Sequence, residues 1–444
     1  MLPATSCERR DPRRPGGAAP WPGWPLARSV PSIGVRILQA LLLAQIVLGA
    51  RVLVRLVRTA GGERIEAVDA APVVAGPAAA ILPTLNERLR LGPCLDGLIA
   101  QGPELCEILV SDGGSEDGTQ HIVAAYRARD PRVRLVDSSA IPEGWNGKAW
   151  GLELAARRAG PEAAWIMTID ADVRPRPSLV ASLLAHAART GLGVLSVAAE
   201  QELAGPGVAL VHPALLVTLV YRFGIPGHAT QRPAAVQANG QCLLIRRDLL
   251  DRIGGFGVGR LSLCDDVTVA RHLAAVGGPV GFYESDGLVS TRMYERGWEA
   301  FTNWPRSLTL KDHLVGWPAL LGLVEVTLVQ ALPLLMVLLL AVRSRQEGSP
   351  APPVRLGVTS ARPTSARSLG HGEGMRRWLL AVNVGLLAMR LGTLVGIARA
   401  YHPLPPTFWL SPLLDLPAAV QLWRCALTRR HHWRGRLVVS GGTS

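Results

Sequence analysis

"IMTIDADVRP", residues 166–175, is an apolar run that stops on Asp170 and Asp172, two carboxylates one residue apart. Ile166, Met167 and Ile169 are apolar, and Ile166, Thr168 and Ile169 are β-branched, which is the character of a buried strand. Side chains at i and i+2 of an extended segment point the same way, so both acids are expected to face one region of space. Two such anions repel and raise each other's pKa unless a cation lies beside them. Magnesium or manganese, hard cations with oxygen ligands, suit that arrangement. A solvated turn after a strand uses aspartate equally well, and the spacing alone does not decide between them.

The region around this stretch supports a strand reading. From about residue 70 to 290, short apolar runs such as "AAAILP" (78–83), "EILVSD" (107–112), "VRLVDS" (133–138) and "AWIMTID" (164–170) alternate with amphipathic stretches such as "DGTQHIVAAYRARD" (117–130). That alternation predicts an α/β fold, a mainly parallel sheet with helices on both faces. Ligands of such sheets bind beyond the carboxyl ends of the strands. Further polar clusters are expected on that edge. "ILPTLNE" (81–87) ends on Asn86 and Glu87, and "ILVSDGGSEDGT" (108–119) ends its strand on Asp112 before two glycines. An acid there can accept from a base N–H or a ribose hydroxyl, or it can simply organise a turn and a helix cap.

Two more clusters fall in the same region. "GWNGKAWG" (144–151) offers Lys148 at a predicted helix start, although all but two of the 47 basic residues are arginine. A lysine at a helix N-terminus can hold a phosphate as a point charge; no P-loop spacing is present. "LSLCDDVTVARHL" (261–273) places Asp265 and Asp266 at a helix start, either as a cap favoured by the macrodipole or as a general base. The preceding "GGFGVGR" follows a helix and not a strand, which argues against a dinucleotide fingerprint.

The rest of the chain reads as membrane. Of 444 residues 48% are hydrophobic, and the mean hydropathy of +0.23 is high for a soluble protein. The net charge of +13 gathers beside apolar stretches, at Arg9, Arg10, Arg13, Arg14, at Arg51, Arg55, Arg58, and at Arg429, Arg430, Arg434, Arg436. That placement favours a bilayer and, with no nucleic-acid-binding signature, excludes nucleic acid as a partner. Six scattered cysteines form no metal-ligand or C-x-x-C pattern. The expected organisation is a disordered leader at 1–33, an N-terminal membrane helix at 34–58, the α/β domain at 70–312, a membrane segment at 313–342, a disordered loop at 343–377, two membrane segments at 378–425 and a basic tail at 426–444. Three C-terminal spans put that tail on the face opposite the domain, against the usual bias of arginine toward the cytoplasm, so the number of spans stays open.

In this order, "PTLNE", "SDGGSEDGT", "GWNGKAWG", "DAD" and "CDD" resemble glycosyltransferase family 2, with its nucleotide-sugar-binding GT-A fold. "EGWNGKAWG" and "QANGQCLLIRRDLLDRIGGF" look most like its carotenoid and hopanoid-associated members. The resemblance covers residues 75 to 310 and, more loosely, the membrane helices. It implies a metal-dependent, inverting transfer of a sugar from a nucleotide-diphosphate donor, expected to be a UDP-sugar, to a hydroxyl or carboxyl of a lipid or isoprenoid acceptor. It further implies a multi-pass protein of the inner (plasma) membrane with a cytoplasmic catalytic domain. By resemblance Asp112 contacts the base, with Pro83 and Glu87 in the same pocket. Lys148 contacts nucleotide or phosphate, Asp170 lies near ribose and metal, and Asp172 ligates manganese or magnesium. Asp266 is the general base, with Asp265 where glutamate is usual. The Q-x-x-R-W of polymerising members is missing; "RMYERGWEAFTNW" (292–304) offers Arg292, Arg296, Trp298 and Trp304 at other spacings, either on the acceptor side or on an amphipathic helix at the membrane surface. Transfer to a polyprenyl phosphate, or a tethered nucleotide-sugar-binding protein without turnover, are the competing readings.

Overall fold

The computed structural model describes residues 33–71, 75–262, 264–310, 316–347, 366–428, 430–433 and 436–439. The expected leader, apart from Ile33, and the middle of the expected 343–377 loop lie outside the described residues, as do parts of the basic tail.

Strands and helices alternate as the hydrophobic pattern requires. The strands are β1 (Ala78–Thr84), β2 (Leu105–Asp112), β3 (Val133–Asp137), β4 (Trp165–Ile169), β5 (Val173–Pro175), β6 (Val194–Ala198), β7 (Glu200–Glu202), β8 (His228–Thr230), β9 (Cys242–Arg246), β10 (Val280–Glu284), β11 (Val289–Thr291) and β12 (Tyr401–His402). Eight of them form one sheet in the order β3-β2-β1-β4-β9-β6-β10-β8. Neighbours β3, β2, β1 and β4 are parallel, as are β6 and β10, while β9 runs against both β4 and β6. The sheet is therefore mixed, mainly parallel, and β4 lies near its centre. Alternate residues feed two cores. Ala80, Leu82, Ile108, Val110, Met167 and Ile169 pack toward the helices Leu91–Ile99 and Leu179–Thr190. Ala79, Ile81, Leu109, Ile166, Leu243 and Ile245 pack toward the helices Gly147–Arg158 and Asp265–Ala275. A small second sheet, β12-β7-β11-β5, closes the carboxyl edge.

Close packing fixes β5 directly after the two acids. Gly97 lies so near this strand that a Cβ built on it falls 2.1 Å from the Pro175 carbonyl oxygen. No side chain fits there.

Four described helices have the length and composition to cross a bilayer: Ile33–Thr59, Pro206–Phe223, Trp317–Arg343 and Glu373–Ala400. Pro206–Phe223, which the sequence reading left within the α/β domain, follows β7 and leads to β8. Both its ends are thus tied to the domain, and two-thirds of it is buried, so it forms a platform packed chiefly against Gly297–Leu308 and Pro406–Leu414. The helix Ile33–Thr59 continues to the domain, where the Ile225 amide donates to Thr59 Oγ1 at 3.0 Å.

The elements of the C-terminal region have other bounds than the expected segments. The helix begun at Trp317 runs through a π-helical segment, Val326–Ala331, to Glu347, and the next begins at Ala366, so both enter what was read as a loop. The apolar stretch 408–423, read as a span, is instead a 3₁₀-helix, Pro406–Leu414, and a 13-residue helix, Asp415–Leu427. Pro412 removes a backbone donor, and 13 residues rise about 20 Å against a hydrocarbon core of about 30 Å. The chain leaves the domain once and returns once before β12 pairs with β7.

Polar residues in these helices pair with one another, as burial among apolar helices requires. Gln45 and Asn383 exchange amide hydrogen bonds at 2.9 and 3.1 Å. Arg51 and Arg55 reach the buried Glu325 at 3.2 and 3.1 Å. Arg390, 1% exposed, donates to both oxygens of Asp415 at 2.8 and 2.9 Å, and Gln330 donates to the same carboxylate.

Candidate functional site

The loops after β1 and β2 are stitched together. Asn86, at φ 56°, accepts from the Glu116 amide, while its own amide donates to Ser115 Oγ. The Arg88 and Glu87 amides donate to Asp117 and Thr119. Asp112 is buried at the end of β2 and accepts from the amides of Gly114 and Ser115, from Ser115 Oγ, and from Gln120 Nε2 at 2.8 Å. Its carboxylate therefore organises the glycine loop. Pro83 sits in β1 opposite Ser111, half-buried beside this edge. Glu87 is buried, with Arg90 3.7 Å from its carboxylate.

The two acids of the opening stretch do not lie on an extended segment. β4 ends at Ile169, and Asp170 to Asp172 form a turn closed by the Val173 amide donating to the Asp170 carbonyl at 3.1 Å. The strand has to stop because β5 departs into the second sheet. The turn separates the two fates. Asp170 Oδ1 lies 2.8 Å from Lys148 Nζ. Asp172 Oδ1 is buried with no hydrogen-bond partner. Burial, followed by the Asp170 charge, pushes the Asp172 pKa up to about 7.

Lys148 reaches Asp170 from the first turn of the helix Gly147–Arg158. That helix is capped by Asn146, whose side chain accepts from the Ala149 amide and whose backbone amide donates to the Arg260 carbonyl. The same Arg260 loop leads into Asp265 and Asp266 at the start of their helix. Burial raises the pKa of both acids, that of Asp266 to about 6, with Lys148 opposing the shift. Lys148 is held charged against its burial by Asp170, Asp265 and Asp266. One lysine thus stands between the carboxylate of β4 and the acid pair of the helix.

Sequence reasoning missed the residue that joins these groups. A Cβ at Gly240 would fall 3.2 Å from Lys148 Nζ and 3.3 Å from Asp266 Oδ2. The adjoining Gln241 carbonyl accepts the Asp170 amide at 3.3 Å, and Gln241 Nε2 donates to Thr291 Oγ1. The signal was a glycine between two polar residues directly before the apolar β9, in "QANGQCLLI" (237–245).

The third predicted group, Arg292 to Trp304, divides. Arg292 follows β11, whose Thr291 pairs with Val173; its Nε is buried without a partner while Nη2 holds Glu295 at 2.8 Å. Arg296 is exposed at the start of the helix Gly297–Leu308. Trp304 turns inward and stacks on His212 of the platform helix at 4.1 Å, whereas Trp298 is exposed. The cations that act on Asp172 are Arg90 and Lys148, and Trp298 and Trp304 lie on different faces of an amphipathic helix. Among the described residues no group of three or more His, Cys, Asp and Glu side chains is placed to hold a metal ion, so Asp170 and Asp172 supply two ligands at most.

Residues 79–254 match the family described as "Glycosyl transferase family 2". No curated protein matches the chain. Among solved structures, a mannosyltransferase from Pyrobaculum calidifontis, in complex with GDP-Man and Mn2+, is 21% identical, with 86% of this chain and 99% of that chain covered, at a TM-score of 0.44. Glucosyl-3-phosphoglycerate synthase from Mycobacterium tuberculosis, in complex with Mn2+ and UDP, is 19% identical over 53% of this chain and 79% of that chain, at 0.36. TarS of S. aureus is 15% identical over 57% and 42%, at 0.36.

Proposed function

We propose that this chain, a nucleotide-sugar glycosyltransferase of family 2 with a GT-A fold, moves a sugar to a lipid at the membrane surface with inversion of the anomeric carbon. The observation that carries the reading is the convergence of three acids, Asp170, Asp265 and Asp266, from two separate elements on one lysine at the carboxyl edge of the sheet. The donor's base is proposed to lie between the β1 and β2 loops, near Pro83, Glu87 and Asp112. Because Asp112 is already engaged by its own loop, its contact to a base would replace the Gln120 bond.

The acids fit a divalent cation. Asp172 offers a buried oxygen without a partner beside a second carboxylate, and magnesium or manganese commonly combines one or two carboxylates with substrate phosphates. When bound there, such an ion supplies Lewis-acid stabilisation of charge on the departing diphosphate. The chain's own residues do the rest. Asp266, with a pKa near 6, is largely ionised at neutral pH and takes the proton of an acceptor hydroxyl. That oxygen bonds to the anomeric carbon as its bond to the diphosphate oxygen breaks, and the electron pair leaves with the diphosphate. One displacement gives a β-linked product from an α-linked donor.

The acceptor side is proposed to be Arg292, Arg296 and the helix carrying Trp298 and Trp304, on the platform facing the membrane helices. A lipid acceptor of isoprenoid type, and a cytoplasmic domain on the inner (plasma) membrane, agree with the long apolar helices and with the wording of residues 237–256. A polyprenyl phosphate is the second reading, favoured by the buried Arg292 Nε that has no hydrogen-bond partner. It needs no strong base, so Asp266→Asn separates the two. Membranes holding the chain, given radiolabelled UDP- or GDP-sugars, Mn2+ and a lipid extract, should label organic-phase product. A binding protein without turnover labels none.

A further inference from the structure

We infer that the Lys148 ammonium and a divalent cation are alternative partners of Asp170, so that metal is taken up together with a nucleotide diphosphate whose phosphates receive the displaced ammonium. This rests on the transferase reading above and assigns Lys148 a positioning role within it.

The geometry leaves little room for both cations. Lys148 Nζ stands 2.8 Å from Asp170 Oδ1, and Gly240 backs directly onto it. An ion ligated by Asp170 and Asp172 would meet a full positive charge a few ångströms away, in a site where repulsion is weakly screened. The helix that carries Lys148 cannot retreat, because its cap Asn146 is bonded both to Ala149 and to the Arg260 to Ser262 loop at 2.8 to 3.1 Å. Any movement of the ammonium is therefore left to rotation about the bonds of its four-carbon stem. The choice of residue is consistent with this: Lys148 is the only lysine among the described residues of an arginine-rich chain. A compact ammonium can pass between a carboxylate and a phosphate beside Gly240, whereas a planar guanidinium fork binds a carboxylate in two places and needs more space. Asp265 and Asp266 also act on the ammonium, so it keeps acidic neighbours when it gives up Asp170.

The consequence is a change of sign on removing one charge. Without nucleotide, Lys148→Met takes away the competitor, and Mn2+ binding to the full chain in detergent should tighten on the order of tenfold or more. With saturating UDP or GDP, the same variant lacks a phosphate contact, and Mn2+ uptake should weaken by about tenfold. The titration is read from the electron paramagnetic resonance of free Mn2+, independently of turnover, with Lys148→Gln as the alternative should the apolar variant not fold. Shifts in the same direction in both arms, or none in either, overturn the inference and leave the transferase reading intact. A wild-type chain that takes up no Mn2+ with either nucleotide overturns both.

Discussion

Asp266 is the residue whose protonation should govern turnover. It sits in the first turn of its helix, where burial and the Asp265 charge push its pKa up to about 6 while Lys148 opposes them. A general base works ionised, so kcat/KM should rise with pH through an apparent pKa near 6 and level off above 7. At pH 5, about a tenth of the base is ionised and the rate should fall by about tenfold. Asp266→Asn should lower the plateau by about 10² to 10⁴ and flatten the limb. Lys148→Met removes the opposing charge and should carry the limb upward by about one pH unit. The assay is the initial rate of organic-phase product between pH 5 and 8.5, at saturating donor and Mn2+. A wild-type profile flat from pH 5 to 7, or nearly full turnover in Asp266→Asn, would refute the assignment. The same shift has a stability consequence of definite sign. The folded chain holds this proton more tightly than the unfolded chain, whose value is about 3.8. The contribution is therefore fully present below about pH 3.8 and is lost as pH rises through about 6.

Three further outcomes test other parts of the structure. Asp172→Asn removes the unpartnered carboxylate oxygen and its repulsion with Asp170; Mn2+ affinity measured with nucleotide should fall at least about tenfold while the thermal midpoint stays level or rises. Gly97→Ala drives a Cβ into the Pro175 carbonyl, a backbone atom that cannot swing away, and should cost about 1–3 kcal/mol in denaturant stability and weaken donor binding by displacing β5. Arg390→Met alone leaves Asp415 buried and unpaired, an expected loss of about 3–5 kcal/mol, whereas Arg390→Met with Asp415→Leu should recover most of it. Additive effects in that double-mutant cycle would show the pair to be uncoupled.

Much of the domain was legible because its signals are local. The apolar runs of β1, β2 and β4, covered on both faces, could hardly be anything but central strands, and the polar residues ending each run mark the carboxyl edge. Lys148 and Asp265 were placed at helix starts by their glycine neighbours. What the sequence could not show depends on pairing across distance. The antiparallel β9 puts Gly240 and Gln241 against Asp170, 70 residues away in the chain, and no local pattern announces that register. The turn at Asp170 to Asp172 follows from the departure of β5 into a second sheet built on residues as distant as Tyr401. The number of membrane passages stayed open for a related reason. Hydropathy cannot distinguish a passage from the platform helix Pro206–Phe223, whose apolar faces are buried by protein, or from the broken 408–423 segment.

Calorimetry of UDP and GDP binding to the purified chain, with and without Mn2+, tests most directly whether the acids at the sheet edge exist to receive an activated sugar. The structure predicts nucleotide uptake that depends on the metal and is lost in Asp172→Ala. Absence of uptake under every condition, or uptake equally strong in that variant, would contradict it.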